Sequence, residues 1–441
     1  MSRLSPQARI GVLAALALLV LGGAIYAVFL RGDGDTPVTE AGSRFGSEDE
    51  GGGGGTLIDT LAPVLTARTV SRRTGSDPAP PGEDEVRRAP GDAVAGLLVI
   101  GFRGTLRDTS FFDRLAARPY GGVLLTRANY EQPQQLSGLT SKVQEVAQEA
   151  GHAAPLVAAQ QEGGEFSAFP NLEPLPQVDV GEGNRDQIRA SARRTAEQLK
   201  ALGVTVNLGP FADIAVAGGP GQGRAFADDA EQVTTVIKSQ VRMFNRLGVA
   251  AAVAPFPGDG AASQDPNTGP APVGLGLEEL RENDMTPFAA VASGRNAAPA
   301  MQMSNAIYAA FDGVTPATLS REVVDELRDR LGFEGAIISA DLVATTATTG
   351  GTVGEAAVDA LQAGVDLLVI PGGRAQQDEA YRDVVAAVRS GELPAGRVVE
   401  ALTRIATSAA AIALASRSPI SARRWLTASR LPFAPGARGS A

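Results

Sequence analysis

Eight short apolar runs, each followed by a stretch of helical periodicity, set the strongest limit on how this chain can fold. The runs occupy residues 94–101, 123–126, 156–160, 204–208, 250–254, 300–304, 336–339 and 366–370. Apolar runs of this length, bounded by turn residues, read as strands buried on both faces, as parallel sheets require. Amphipathic stretches lie between them at 186–202, 229–247, 277–293, 320–331 and 353–363. This alternation predicts an α/β fold, a single (β/α)8 TIM-type barrel over residues 91–417. A doubly wound open sheet is the alternative, but no G-x-G-x-x-G follows the first run. A last helix, near 397–416, is apolar on one side and is expected to close the barrel.

The chain ahead of the barrel has a different character. Residues 10–30, IGVLAALALLVLGGAIYAVFL, carry no charge and as a helix would span about 30 Å, the thickness of a bilayer core. A cleaved signal peptide, the alternative, has a shorter apolar region. Arg3 and Arg9 precede the span and Asp33 and Asp35 follow it. A single-pass cell-membrane anchor is therefore expected, with residues 1–9 cytoplasmic and the barrel extracytoplasmic. Residues 31–90 are rich in glycine, proline and mixed charge and read as a flexible, disordered linker. The tail at 418–441 is basic and proline-bearing, and the two readings of it are docking on the barrel through Trp425 and disorder.

Composition removes several kinds of chemistry. A net charge of −10 argues against nucleic acid as a partner. With no cysteine and the single histidine His152, neither disulfides nor a thiolate or multi-histidine metal site can form. No cofactor and no metal is expected. His152, in EAGHAAP between a helix and the third run, reads as a surface or capping residue.

The segment LGFEGAIISADL at Leu331 delivers an acid, Asp341, to the C-terminal end of a predicted strand, the rim where such barrels place their chemistry. Other fragments follow in order: GGVLLTRANYEQPQQLSGLT at Gly121, PLVAAQQEGGEF at Pro155, VTVNLGPFADI at Val204, GRAFADD at Gly223, FPGDG at Phe256, MSNAIYAAFDGVTPATLS at Met303 and LQAGVDLLVI at Leu361. Together they resemble glycoside hydrolase family 3, N-terminal domain, in its β-N-acetylglucosaminidase (β-N-acetylhexosaminidase) branch. The likeness covers about residues 91–415, and no second large domain is expected after it.

The resemblance implies retaining hydrolysis, with a carboxylate nucleophile and an acid/base that serves twice. It also exposes departures. The nucleophile position of LGFxGxxxSDDL is Ala340, with Asp341 after it. The D-x-H acid/base motif falls on Asp265-Pro266-Asn267. The Lys-His pair of KHFPGHG is Ala254 and Pro255, and its second histidine is Asp259. The substrate-binding aspartate and arginine of DQEGGRV are Gln160 and Glu165. Glu162, Arg224, Asp213 and Asp259 remain as candidate substrate-binding residues. Arg224 could equally form an ion pair with Asp228 or Asp229, and Glu162 with Gly163 and Gly164 could simply shape a turn. The pattern implies a pseudoenzyme that binds peptidoglycan-derived N-acetylglucosamine glycan, or an extracytoplasmic protein, at the former active-site rim. The alternative is a working hexosaminidase with relocated carboxylates, Asp341 as nucleophile and Asp265 or Asp259 as acid.

Overall fold

The computed structural model describes residues 80–105 and 109–415. The expected anchor at 10–30, the linker up to residue 79 and the tail at 418–441 lie outside these described residues. Among the described residues, no helix is long and apolar enough to cross a membrane.

Eight parallel strands close the barrel. In chain order the strands are β1 (Leu98–Gly101), β2 (Gly122–Leu125), β3 (Leu156–Ala159), β4 (Val206–Asn207), β5 (Ala250–Phe256), β6 (Pro272–Val273), β7 (Ala300–Met303), β8 (Ile307–Tyr308), β9 (Ala336–Asp341) and β10 (Leu367–Ile370). The barrel runs β1-β2-β3-β4-β5-β7-β9-β10 and back to β1. β6 and β8 pair separately, tying the loop after β5 to the loop after β7.

Strand alternation sorts the core into two layers. Val99, Leu124, Ala158, Val206, Ala252, Ala300, Ile338 and Val369 form one buried cluster, the lumen filling. Their neighbours Leu98, Ile100, Val157, Ala251, Met301, Ile337 and Leu368 pack outward with the helices. Many lumen residues are alanines, so the interior is filled by short side chains from every strand.

The N-terminal mouth is covered by the helix Ala395–Ala415, whose Ile405 and Ile412 pack on the lumen cluster. Beside it, Asp366, fully buried, gathers three cations. Arg328 lies 2.6 Å away, Arg397 2.8 Å and Arg404 3.5 Å.

The structure corrects several boundaries. Order begins before Pro90, because residues 83–88 form a helix within the stretch expected to be linker. Its acids Glu83, Asp84 and Glu85 sit in the first turn and Arg87 and Arg88 in the last, matching the helix dipole, and Val86 is buried. The first strand begins at Leu98 rather than 94, because Pro90 starts a second short helix, Pro90–Ala95. The helix expected over 277–293 breaks into Leu277–Glu282 and Thr286–Ala292, with Pro287 near the start of the second part.

Candidate functional site

The C-terminal ends of the strands bring most of the sequence candidates to one rim. Glu162 follows β3, Asp213 and Arg224 follow β4, Asp259 follows β5, and Asp341 ends β9. Two networks organise them.

In the first, Arg224 meets Glu162 in a two-pronged ion pair. Nε lies 2.7 Å from Oε2 and Nη2 lies 2.7 Å from Oε1. The guanidinium stacks on Phe211, 3.7 Å from the ring centre, and Glu162 is buried at 2% exposure. This differs from the alternative reading of a pairing with Asp228 or Asp229. Asp229 instead caps the helix Ala230–Leu247, accepting from the Gln232 N–H at 2.7 Å. The loop after β3 that carries Glu162 turns through Gly163 and Gly164, both at positive φ.

The second network is acidic. Asp213 Oδ1 accepts from the Asp259 backbone N–H at 2.8 Å, and Asp213 Oδ2 is buried without a hydrogen-bond partner. Asp259 Oδ1 accepts a hydrogen bond from the Ser304 hydroxyl, and the Tyr308 hydroxyl lies 3.1 Å from the same oxygen. Burial above all, together with the neighbouring Asp259 charge, holds Asp213 well above the usual carboxylate pKa. Burial likewise pushes Asp259 up to about 6, against the hydrogen bonds of Ser304 and Tyr308 that pull it down. Asp284 joins this cluster and is also raised to about 6 by burial. A buried carboxyl poised near neutrality can hold or release a proton, which is what acid–base chemistry requires.

Asp284, Ser304 and Tyr308 were not singled out by the sequence. Asp284 sits in the break between two helical segments, and the proline three residues later is the one signal that could have drawn attention to it. Ser304 and Tyr308 lie within the MSNAIY segment, which carries no sign of a buried polar cluster.

Asp341 and Asp265 stand apart from this cluster. Asp341 Oδ1 accepts from Val343 N–H at 2.8 Å and Ala344 N–H at 3.1 Å, capping the helix Leu342–Thr349. Burial raises its pKa and these two N–H groups oppose the rise. The β9–β10 register slips by one residue here: Leu367 faces Ile338, whereas Val369 faces Asp341. Alternation therefore does not carry through to the strand end. Ala340 is buried beside Asp341, its N–H bonded to Thr318 Oγ1 at 3.0 Å. Asp265 is exposed and holds Asn267, accepting its backbone N–H at 2.9 Å and its amide at 3.2 Å. Asn305 then donates to Asn267 Oδ1 at 3.1 Å and to the Asp341 carbonyl oxygen at 3.2 Å, linking the loop after β5 to the end of β9.

His152 lies away from the rim, with Nε2 2.9 Å from the Ala116 carbonyl oxygen. Among the described residues, no cluster of three or more histidine, cysteine, aspartate or glutamate side chains is placed to hold a metal.

A sequence profile described as the glycosyl hydrolase family 3 N terminal domain matches residues 102–408. The chain belongs to glycoside hydrolase family 3. It is 34% identical over 259 residues to an uncharacterized secreted glycosyl hydrolase of Arthroderma benhamiae, covering 57% of this chain and 73% of that protein. It is 28% identical over 284 residues to a β-hexosaminidase of Xanthomonas campestris pv. campestris, covering 62% of this chain and 84% of that one. A solved family 3 β-N-acetylglucosaminidase from a Paenibacillus species superposes with a TM-score of 0.69 at 28% identity. That alignment covers 73% of this chain and 62% of the Paenibacillus chain, so this protein spans less than two thirds of its length. The resemblance carried by the motifs therefore holds, and the family 3 barrel is the fold observed.

Proposed function

We propose that this family 3 protein is a membrane-anchored, extracytoplasmic pseudoenzyme. It binds cell-wall glycan derived from peptidoglycan, or a protein partner, at the rim where its relatives would hydrolyse. The observation that carries this reading is the end of β9. The position matching the family nucleophile is Ala340, and the adjacent Asp341 spends a carboxylate oxygen on two helix N–H groups. Two further features support it. Asn267 stands at the acid/base position, and an amide takes no proton at neutral pH. Arg224 is matched by Glu162 rather than left open to a sugar. Placement at the membrane rests on the uncharged span at residues 10–30 and the basic residues before it.

A second reading keeps hydrolysis, as a β-N-acetylhexosaminidase with relocated carboxylates. The register slip at β9 favours it, because a bulge re-aims a side chain, and so does the raised pKa of Asp259.

The deciding assay uses the full-length chain at high concentration with an aryl β-N-acetylglucosaminide, beside Asp341→Asn, Asp265→Asn and Asp259→Asn. The pseudoenzyme reading expects no release above that of the variants. Turnover by the parent chain that falls at least a hundredfold in Asp341→Asn would establish the second reading. Asparagine still caps a helix, so such a loss would not come from unfolding.

A further inference from the structure

Away from the rim, the outer face of the helix Ala230–Leu247 forms the floor of a groove of about 710 Å³. One wall is the helix Arg185–Ala201 and the other is the end of Thr286–Ala292 with the turn after it. Six cations line it: Arg185, Arg189, Lys238, Arg242, Arg246 and Arg295. No aspartate or glutamate does. The chain as a whole is acidic, at −10, so this concentration of positive charge runs against its composition.

Two features separate the groove from an ordinary solvated helix face. Lys238, Arg242 and Arg246 recur every four residues, as do Arg185 and Arg189, so like charges face one another along both helices. Each such neighbour pair costs about 0.2–0.5 kcal/mol of helix stability. Helices elsewhere in this protein relieve their charge with acids four residues on, as Arg374 does with Asp378 and Arg321 with Asp325. Here, only Arg189 has an ion pair, with the exposed Asp186 at 3.5 Å; the other five cations have none among the described residues.

We propose that this groove binds a linear polyphosphate chain. Five of the six cations are arginines, whose planar fork suits phosphate oxygens. The cations other than Arg295 lie along two neighbouring helices around a recess, which suits a chain rather than a bilayer surface. None of the large exposed apolar residues, Leu175, Val216 and Val314, lines it to insert into lipid. The proposal is independent of whether the rim is catalytic.

The test measures binding of labelled inorganic polyphosphate, about twenty phosphates long, to the full-length chain in nonionic detergent. Six contacts predict a log K against log salt slope of about −4, a loss of roughly three-hundredfold between 50 and 200 mM salt. Arg242→Ala combined with Arg246→Ala should weaken binding at least tenfold and flatten the slope by about 1.4. Arg193→Ala combined with Arg194→Ala removes the same charge from outside the groove and should change affinity less than twofold. Triphosphate, too short to span the cations, should bind at least tenfold more weakly. Absence of polyphosphate binding at 50 mM salt would overturn the proposal, as would equal losses in the two double variants. Anionic phosphatidylglycerol vesicles form a final arm. Groove-dependent binding to them without polyphosphate binding would assign the surface to lipid and overturn it too.

Discussion

Asp259 carries a stability cost that depends on pH. Its carboxyl is buried with Asp213 and Asp284 close by, and burial raises its pKa from 3.8 to about 6. Below about pH 4 the folded and unfolded chains both hold this proton. Between roughly 4 and 6 the folded chain keeps it while the unfolded chain releases it, so stability falls as pH rises through that window. The loss is complete above about 6 and is on the order of 3 kcal/mol for this group. Asparagine presents an oxygen to Ser304 and Tyr308 but no charge. Asp259→Asn should therefore gain stability relative to the parent by about 2 kcal/mol between pH 4.5 and pH 7.5, since about a third of the loss already lies below pH 4.5, read as the shift in urea unfolding free energy. A difference that stays flat with pH would show that Asp259 titrates as a solvated carboxylate. The identity of this residue was legible as a rim candidate from FPGDG. Its environment was not, because Ser304, Tyr308 and Asp284 come from distant parts of the chain and no local pattern announces them. The same holds for Arg224, whose partner lies 62 residues away rather than in the neighbouring Asp228-Asp229 pair.

At the scale of elements, the sequence marked every barrel strand, because fully buried parallel strands leave short, unbroken apolar runs. Their ends were harder to place. Residues 94–97 are as apolar as a strand, yet Pro90 begins a helix and Gly96 ends it, so the strand starts only at Leu98. Polar loops gave composition but not geometry, and the turn after β3 shows why. Gly163 has φ of 107°, and a Cβ there would sit 2.1 Å from the Leu175 carbonyl oxygen. Backbone strain and a clash with backbone coincide at this one residue, immediately after Glu162. Gly163→Ala should cost more than about 2 kcal/mol in urea unfolding. It should also displace Glu162 and loosen its grip on Arg224. Gly104→Ala, at φ of 99° with open space around it, is the comparison that isolates the clash from the strain. Equal costs for the two variants would remove the role assigned to the Leu175 contact.

Over the whole molecule, the rim can vary because the opposite mouth is fastened. Asp366, at the start of the last barrel strand, has no solvent exposure. It accepts the Ile337 N–H at 2.9 Å while binding Arg328, Arg397 and Arg404. Those arginines come from the segment before β9 and from the closing helix. One carboxylate thus joins β10, β9 and the cap over the lumen. The cap adds Ser408, whose hydroxyl accepts the Ala336 N–H at 3.1 Å. An arrangement of this kind contributes little relative to an apolar substitute, but removing one member leaves partly buried cations without a counter-charge, at a cost of about 3–5 kcal/mol. Asp366→Ala should therefore lower the urea midpoint by that equivalent. Asp366→Asn should fall between it and the parent, since the amide keeps acceptor capacity but loses the charge. The closing helix should loosen first, so amide exchange over residues 395–415 is expected to accelerate in Asp366→Ala before exchange in β1 to β5 changes. If exchange instead rises uniformly across the barrel, the cap and the strands form one cooperative unit and the carboxylate is not a separable fastening. Such a fastening, remote from Ala340 and Asn267, gives substitutions at the rim a route to change chemistry without unfolding the barrel.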